Sequence, residues 1–150
     1  MLIRYKKLHP QALAPAYKTP GAVGADLACT TEVVCPPGVV TLLPLGVAIE
    51  LPEGHVGLLL CRSSLPVKRG LLVPNGAGVI DPDYRGEWFL QVMPVGSQPV
   101  TVAAGERVAQ MLVVPARTLA GGELIDGFTE AETLTDTARG AGAFGSTGVG

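Results

Sequence analysis

Residues that hold metals or cross-links are nearly absent from this chain, which has only two histidines, His9 and His55, and three cysteines, Cys29, Cys35 and Cys61. An odd number of cysteines with no CxxC pair argues against a disulfide framework and against a zinc site, and makes a reduced, cytoplasmic location the default. Charge is sparse too: 16% of residues carry it, the net is -2 and the pI lies near 5.6. With no overall positive field to hold a nucleic acid polymer, any anionic ligand needs local arginines. No apolar segment follows the charged start MLIRYKKLHP, so no signal peptide is expected. The uncharged run CPPGVVTLLPLGVAI, Cys35 to Ile49, is too short to span a bilayer and is broken by three prolines. Windows free of helix breakers are equally rare, because 20 glycines and 13 prolines are scattered along the 150 residues.

What the chain does have is apolar residues, 47% of the total, in short stretches bounded by Gly or Pro. VVTLLPLGVAIEL, HVGLLLCR, GEWFLQVMPV and ERVAQMLVVPA read as half-buried or fully buried strands. The fold class is all-β, a sandwich or barrel, and the length suits one domain with a real core. One or two helical turns are expected at SSLPVKRG, where Ser64 can cap, Pro66 sits at the first positions and Gly70 ends the turn. TEAETLTDTARG, Thr129 to Gly140, is polar without an apolar face and reads as a tether. We divide the chain into a β domain over residues 1–128 and a tether with a glycine-rich C-terminal segment over residues 129–150, within the same domain.

Into this sparse charge falls GVIDPDYRGEW, Gly78 to Trp88, which gathers Asp81, Asp83, Tyr84, Arg85 and Glu87 around Pro82 and Gly86. RSS and RGAGAFGSTG offer another chemistry: glycine-freed backbone N–H groups, hydroxyls and an arginine beside each, the parts of a phosphate cradle. Neither fits the GxxxxGK[ST] phosphate loop. A solvated tail gains nothing from an aromatic ring, which sets Phe144 apart from its glycine neighbours. His9 and His55 read as exposed, Trp88 as packed within a strand or interface, and the cysteines as small core residues.

GAVGADLA, CRSSLPVKRG, NGAGVIDPDYRGEW, GERVAQMLVVP and RGAGAFGSTG resemble, in order and spacing, the signature motifs of the trimeric dUTP diphosphatases (dUTPases). The resemblance runs from about Thr19 to Gly148. It implies a distorted jelly-roll or barrel-like subunit of a homotrimer, with active sites between subunits and a flexible C-terminal tail that closes over a neighbour's site. It also implies hydrolysis of dUTP to dUMP and pyrophosphate by water attacking the α-phosphorus, with Mg2+ on the triphosphate. That activity limits uracil incorporation into DNA and supplies dUMP for dTMP synthesis.

Residue by residue, the resemblance makes Asp81 the base for the water, on a turn stiffened by Pro82, while Asp83 stays solvated. Tyr84 packs beneath the deoxyribose and leaves no room for a 2'-hydroxyl. Asn75, with backbone groups around Val79, Ile80 and Phe89, reads the uracil. Arg62, Ser63 and Ser64 contact phosphates; many family members have glycine where Ser64 stands. Gln110 contacts phosphate or is a satisfied core amide. Asp26 lies near the water shell of the metal or is a turn aspartate paired with an arginine such as Arg107. Arg139 meets the γ-phosphate, Phe144 stacks on uracil, and Gly145, Ser146 and Thr147 wrap the outer phosphates; Ala143 replaces the family's usual glycine. Two other readings stand beside this one. A dCTP deaminase shares RSS and IDP but uses a glutamate where this chain has Gln91, and a silent nucleotide-binding trimer would keep only the scaffold.

Overall fold

The computed structural model describes residues 2–116, 128–135 and 137. Among these the chain forms eleven short strands: β1 Arg4–Lys7, β2 Ala25–Ala28, β3 Val33–Cys35, β4 Thr41–Pro44, β5 Val47–Glu50, β6 His55–Cys61, β7 Leu71–Leu72, β8 Gly78–Ile80, β9 Phe89–Pro94, β10 Val100–Val102 and β11 Arg107–Pro115. All their pairings are antiparallel. The described chain is all-β, as the distribution of breakers implies. The four sequence stretches read as strands contain β4 and β5, β6, β9 and β11. No helix among the described residues is long and apolar enough to cross a membrane.

The largest sheet has the order β2-β11-β6-β8; β4-β9-β7, β1-β5 and β10-β3 are the other sheets among the described residues. Alternation sets what each face meets. On β6, Gly57 and Leu59 turn into the core, while Val56, Leu58 and Leu60 remain half-buried on the outer face. On β11, Met111 points inward and Leu112 and Val114 are half-buried. Leu27, Leu43, Val47, Ile49, Leu59, Trp88, Leu90, Val92 and Val108 belong to one apolar cluster, so the separate sheets share a single core.

Two places break the strand pattern. On β11, Val108 and Ala109 are both fully buried, which strict alternation forbids. A bulge explains it: the register with β2 slips between Arg107 and Ala109, so two residues oppose one. The expected helix is a single wide turn of π type, Leu65–Arg69. Ser64 occupies its cap position but makes no side-chain cap bond, whereas Gly70 closes it at φ +61°, its N–H donating to the carbonyls of Leu65 and Pro66. Residues 129–135, in the expected tether, form no strand or helix and are exposed.

The cysteines are all unpaired; Cys29 and Cys35 are buried and Cys61 half-buried against the core. Burial pushes the Cys29 and Cys35 thiols above the usual range. Neither histidine is as exposed as expected. His55 opens β6 opposite Pro115, is half-buried and has its Nδ1 2.9 Å from the Glu53 carbonyl oxygen; His9 accepts the Gln11 N–H at Nδ1. Trp88 lies neither in a strand nor at the surface. It sits just ahead of β9, 1% exposed, with its ring against Gly57.

Candidate active site

Asp81 directly follows β8 and is exposed. Pro82 and Asp83 form a tight turn closed by Tyr84 N–H donating to the Asp81 carbonyl at 3.2 Å. Arg85 folds back on this turn, its Nη1 donating to the carbonyls of Pro82 at 2.6 Å and Tyr84 at 3.0 Å. The turn is therefore held by main-chain and guanidinium bonds, and the Asp81 side chain is left to face solvent. Cavities open on either side of it. One, of about 590 Å³, is lined by Glu53, His55, Val79, Asp81 and Asp83 among others. The second, of about 380 Å³, is lined by Leu42, Val79, Ile80, Asp81, Tyr84, Glu87, Trp88, Phe89 and Gln91. This second cleft joins an apolar floor to two carboxylates, Asp81 and Glu87, and one phenol, the mix expected of a small-molecule site.

Tyr84 is 43% exposed, and its hydroxyl donates to the Glu87 carbonyl at 2.9 Å. Its ring lies on Gly86, where an added Cβ would come within 2.5 Å of the ring carbon Cζ. Glu87 reaches away, its carboxylate accepting the Gly46 N–H at 2.9 Å. Asn75 is exposed in the β7–β8 connection, followed by Gly76 at φ +70°, and is not among the residues lining either cavity beside Asp81.

A second group assembles at the far edge of the same sheet. Asp26 lies on β2, not in a turn, and is directly paired with Gln110 on β11. Each of its carboxylate oxygens faces a guanidinium: Oδ1 lies 3.5 Å from Arg62 Nε and Oδ2 3.3 Å from Arg107 Nη1. The expected Arg107 partnership is thus present, with Arg62 as a second partner. The bulge makes it possible, because turning Val108 and Ala109 inward together returns Arg107 to the face that carries Gln110 and Asp26. Gln110 is half-buried and donates through Nε2 to the Cys61 carbonyl at 3.4 Å, so its amide does have a partner within the fold. Ser63 is exposed and Ser64 half-buried at the start of the wide turn.

These two groups do not meet within one chain. Neither cavity beside Asp81 is lined by Asp26, Arg62, Ser63, Ser64 or Gln110. Asp26 is on one edge strand, and Asp81 follows the other, one residue beyond the Gly57↔Ile80 pair. Three inter-strand spacings across and four residues along put the two on the order of 20 Å apart. Arg139, Ala143, Phe144, Gly145, Ser146 and Thr147 lie outside the described residues. Arg85, which braces the Asp81 turn, and Gly86 and Glu87, which meet the Tyr84 ring and hydroxyl, received no role from the sequence; their positions were visible, but their partners were not.

An all-β subunit with an acidic turn over an apolar cleft and arginines gathered elsewhere on its surface has the features of a small-ligand enzyme that takes up an anion. Comparison with known proteins narrows the class: the dUTPase family model matches residues 11–148, and the chain belongs to that family. It is 43% identical over 150 residues to the deoxyuridine 5'-triphosphate nucleotidohydrolase of Desulfitobacterium hafniense, covering 98% of this chain and 95% of that one. The crystal structure of dUTPase from Streptococcus mutans superposes with a TM-score of 0.71 at 34% identity, over 82% of this chain and 98% of that one. A mutant dUTPase of Staphylococcus bacteriophage 80alpha, solved with dUpNHpp, shares the fold with a TM-score of 0.85 at 24% identity, covering 99% of each chain.

Proposed function

We propose that this chain hydrolyses dUTP to dUMP and pyrophosphate, with water activated by Asp81 attacking the α-phosphorus. Family membership supports the overall reaction. The observation that carries the assignment of the base is Asp81 on a braced turn, at the mouth of a cleft it shares with Tyr84 and Phe89. A carboxylate accepts the proton as the water attacks, and rigidity of its turn holds it in range of that water. Tyr84 lies beneath the deoxyribose, and Asn75 with backbone groups around Val79, Ile80 and Phe89 binds the uracil. Buried polar groups matched to one base edge penalise a wrong base, because they would go unpaired.

Arg62, Ser63, Ser64 and Gln110 hold the phosphates, supplying the positive charge that the chain as a whole lacks. Arg139, Phe144, Gly145, Ser146 and Thr147 close over the bound nucleotide, so residues 129–150 act as a lid for the β domain of residues 1–128. Because the Asp81 group and the Asp26 group lie so far apart in one subunit, a single triphosphate cannot bridge them. The complete site is assembled between copies in a homotrimer. The half-buried outer face formed by Val56, Leu58, Leu60, Leu112 and Val114, with Val79 67% exposed beside it, is the apolar surface a second copy covers.

Magnesium fits as a water-mediated ligand rather than a caged one. Among the described residues no group of three His, Cys, Asp or Glu side chains could hold a metal, and Asp26 already faces two guanidiniums. Mg2+ keeps its waters and prefers substrate phosphates, so a single nearby carboxylate suffices, and Asp26 would hold it through water. When bound, the ion neutralises charge developing on the phosphates. The unpaired thiols fit a cytoplasmic enzyme that restricts uracil in DNA and supplies dUMP for dTMP synthesis.

The test is product analysis with dUTP and dCTP, in the presence and absence of a chelator. Pyrophosphate from dUTP, abolished by chelation, is the expected result. Ammonia from dCTP would favour deaminase chemistry despite Gln91, and binding of dUTP without either product would favour a silent trimer.

A further inference from the structure

We propose that Glu87 is a positioning residue that fixes the Tyr84 ring and thereby sets the preference for deoxyribose over ribose, an inference that rests on the proposed hydrolysis of dUTP. Tyr84 is 43% exposed, so packing alone does not hold its ring. Its hydroxyl is held by the Glu87 carbonyl at 2.9 Å, while Gly86 beneath it supplies clearance that no other residue could. The position of the Glu87 peptide therefore decides where the ring sits.

That peptide is tied in turn to the β4–β5 connection. The Glu87 carboxylate accepts the Gly46 N–H at 2.9 Å across 41 residues of chain. Next to it, Trp88 N–H donates to the Val47 carbonyl and Leu45 N–H to the Trp88 carbonyl, both at 3.0 Å. Gly46 is a firm anchor: it holds φ +66°, and an added Cβ would lie 2.9 Å from the Ala12 Cβ and closer still to Thr30 Cγ2. A half-buried carboxylate accepting a backbone N–H makes a charge-assisted bond stronger than a neutral one. The path is continuous: core turn, carboxylate, peptide carbonyl, phenol, sugar. Cutting the carboxylate at Glu87 leaves that peptide held by the Trp88 N–H to Val47 bond alone, so the ring gains freedom and the space a 2'-hydroxyl needs is less strictly closed.

The experiment measures kcat/KM for dUTP and UTP, with melting temperature, for the wild type, Glu87→Ala, Glu87→Asp, Glu87→Gln, Tyr84→Phe and the Glu87→Ala/Tyr84→Phe pair. Glu87→Ala is expected to lower the dUTP-to-UTP ratio about tenfold, mainly through KM, and Glu87→Gln, which keeps an acceptor oxygen, to stay within about twofold of the wild type. Adding Glu87→Ala to Tyr84→Phe is expected to change the ratio no further, since the phenol is the link. If the alanine variant does not fold, Glu87→Asp carries the test, because its carboxylate is drawn back from Gly46 by one methylene. A lowered melting temperature with an unchanged ratio overturns the proposal and leaves dUTP hydrolysis standing. A wild type that hydrolyses neither nucleotide overturns both together.

Discussion

At the scale of single residues, what the site uses is a few side chains whose backbones are more constrained than their tips. Asp81 is exposed, yet its main chain closes a turn and Arg85 braces that turn from behind. Replacing it with the isosteric amide should therefore spare geometry and remove basicity. We expect Asp81→Asn to bind dUTP within a few-fold of the wild type by calorimetry, while pyrophosphate release falls by roughly three orders of magnitude or more. Comparable turnover in that variant would reject Asp81 as the base. Asp26 is the opposite case: its oxygens are already engaged by Arg62 and Arg107, so its charge organises cations.

At the scale of elements, the site depends on how strands are interrupted. Gly57 in β6 is one such point, because a side chain there would put a Cβ 2.7 Å from the buried ring of Trp88 and 3.0 Å from Leu51. Gly57→Ala should lower stability by about 1–3 kcal/mol, read as a drop in urea midpoint at unchanged slope. Strands of this length were legible in the sequence where apolar residues ran between breakers, as in HVGLLLCR and ERVAQMLVVPA. β1 was not: RYKK is exposed throughout and carries no core pattern, its place set by pairing with β5. The Asp81 turn could be read from Pro82 and its dense charge. The Asp26–Arg107 pair was one of the two readings the sequence offered, but the strand setting of Asp26 and the addition of Arg62 could not be read, because the bulge at Val108 that orients Arg107, two successive inward residues, is meaningful only once β2 is known to lie alongside. The Glu87–Gly46 bond was equally hidden, since local spacing says nothing about a partner 41 residues away.

At the scale of the whole molecule, the proposed division of one site between the Asp81 and Asp26 groups predicts association. Sedimentation at working concentration should give three times the 15.4 kDa chain mass, and a monomer that still hydrolyses dUTP would end the shared-site reading. Removal of residues 139–150 should leave a folded trimer with poor dUTP turnover; an unaffected rate would take Phe144 and its neighbours out of the site. Both experiments can be followed from within. The chain has one tryptophan, Trp88, 1% exposed, its indole N–H without a hydrogen-bond partner among the described residues, and it forms part of the wall of the cleft that Asp81 and Tyr84 share. The protein therefore carries a single tryptophan, buried at the edge of the cleft proposed to hold the nucleotide. Its blue-shifted emission should dim or move as nucleotide enters and shift to the red when the fold is lost, giving a label-free optical gauge of occupancy and integrity on one residue.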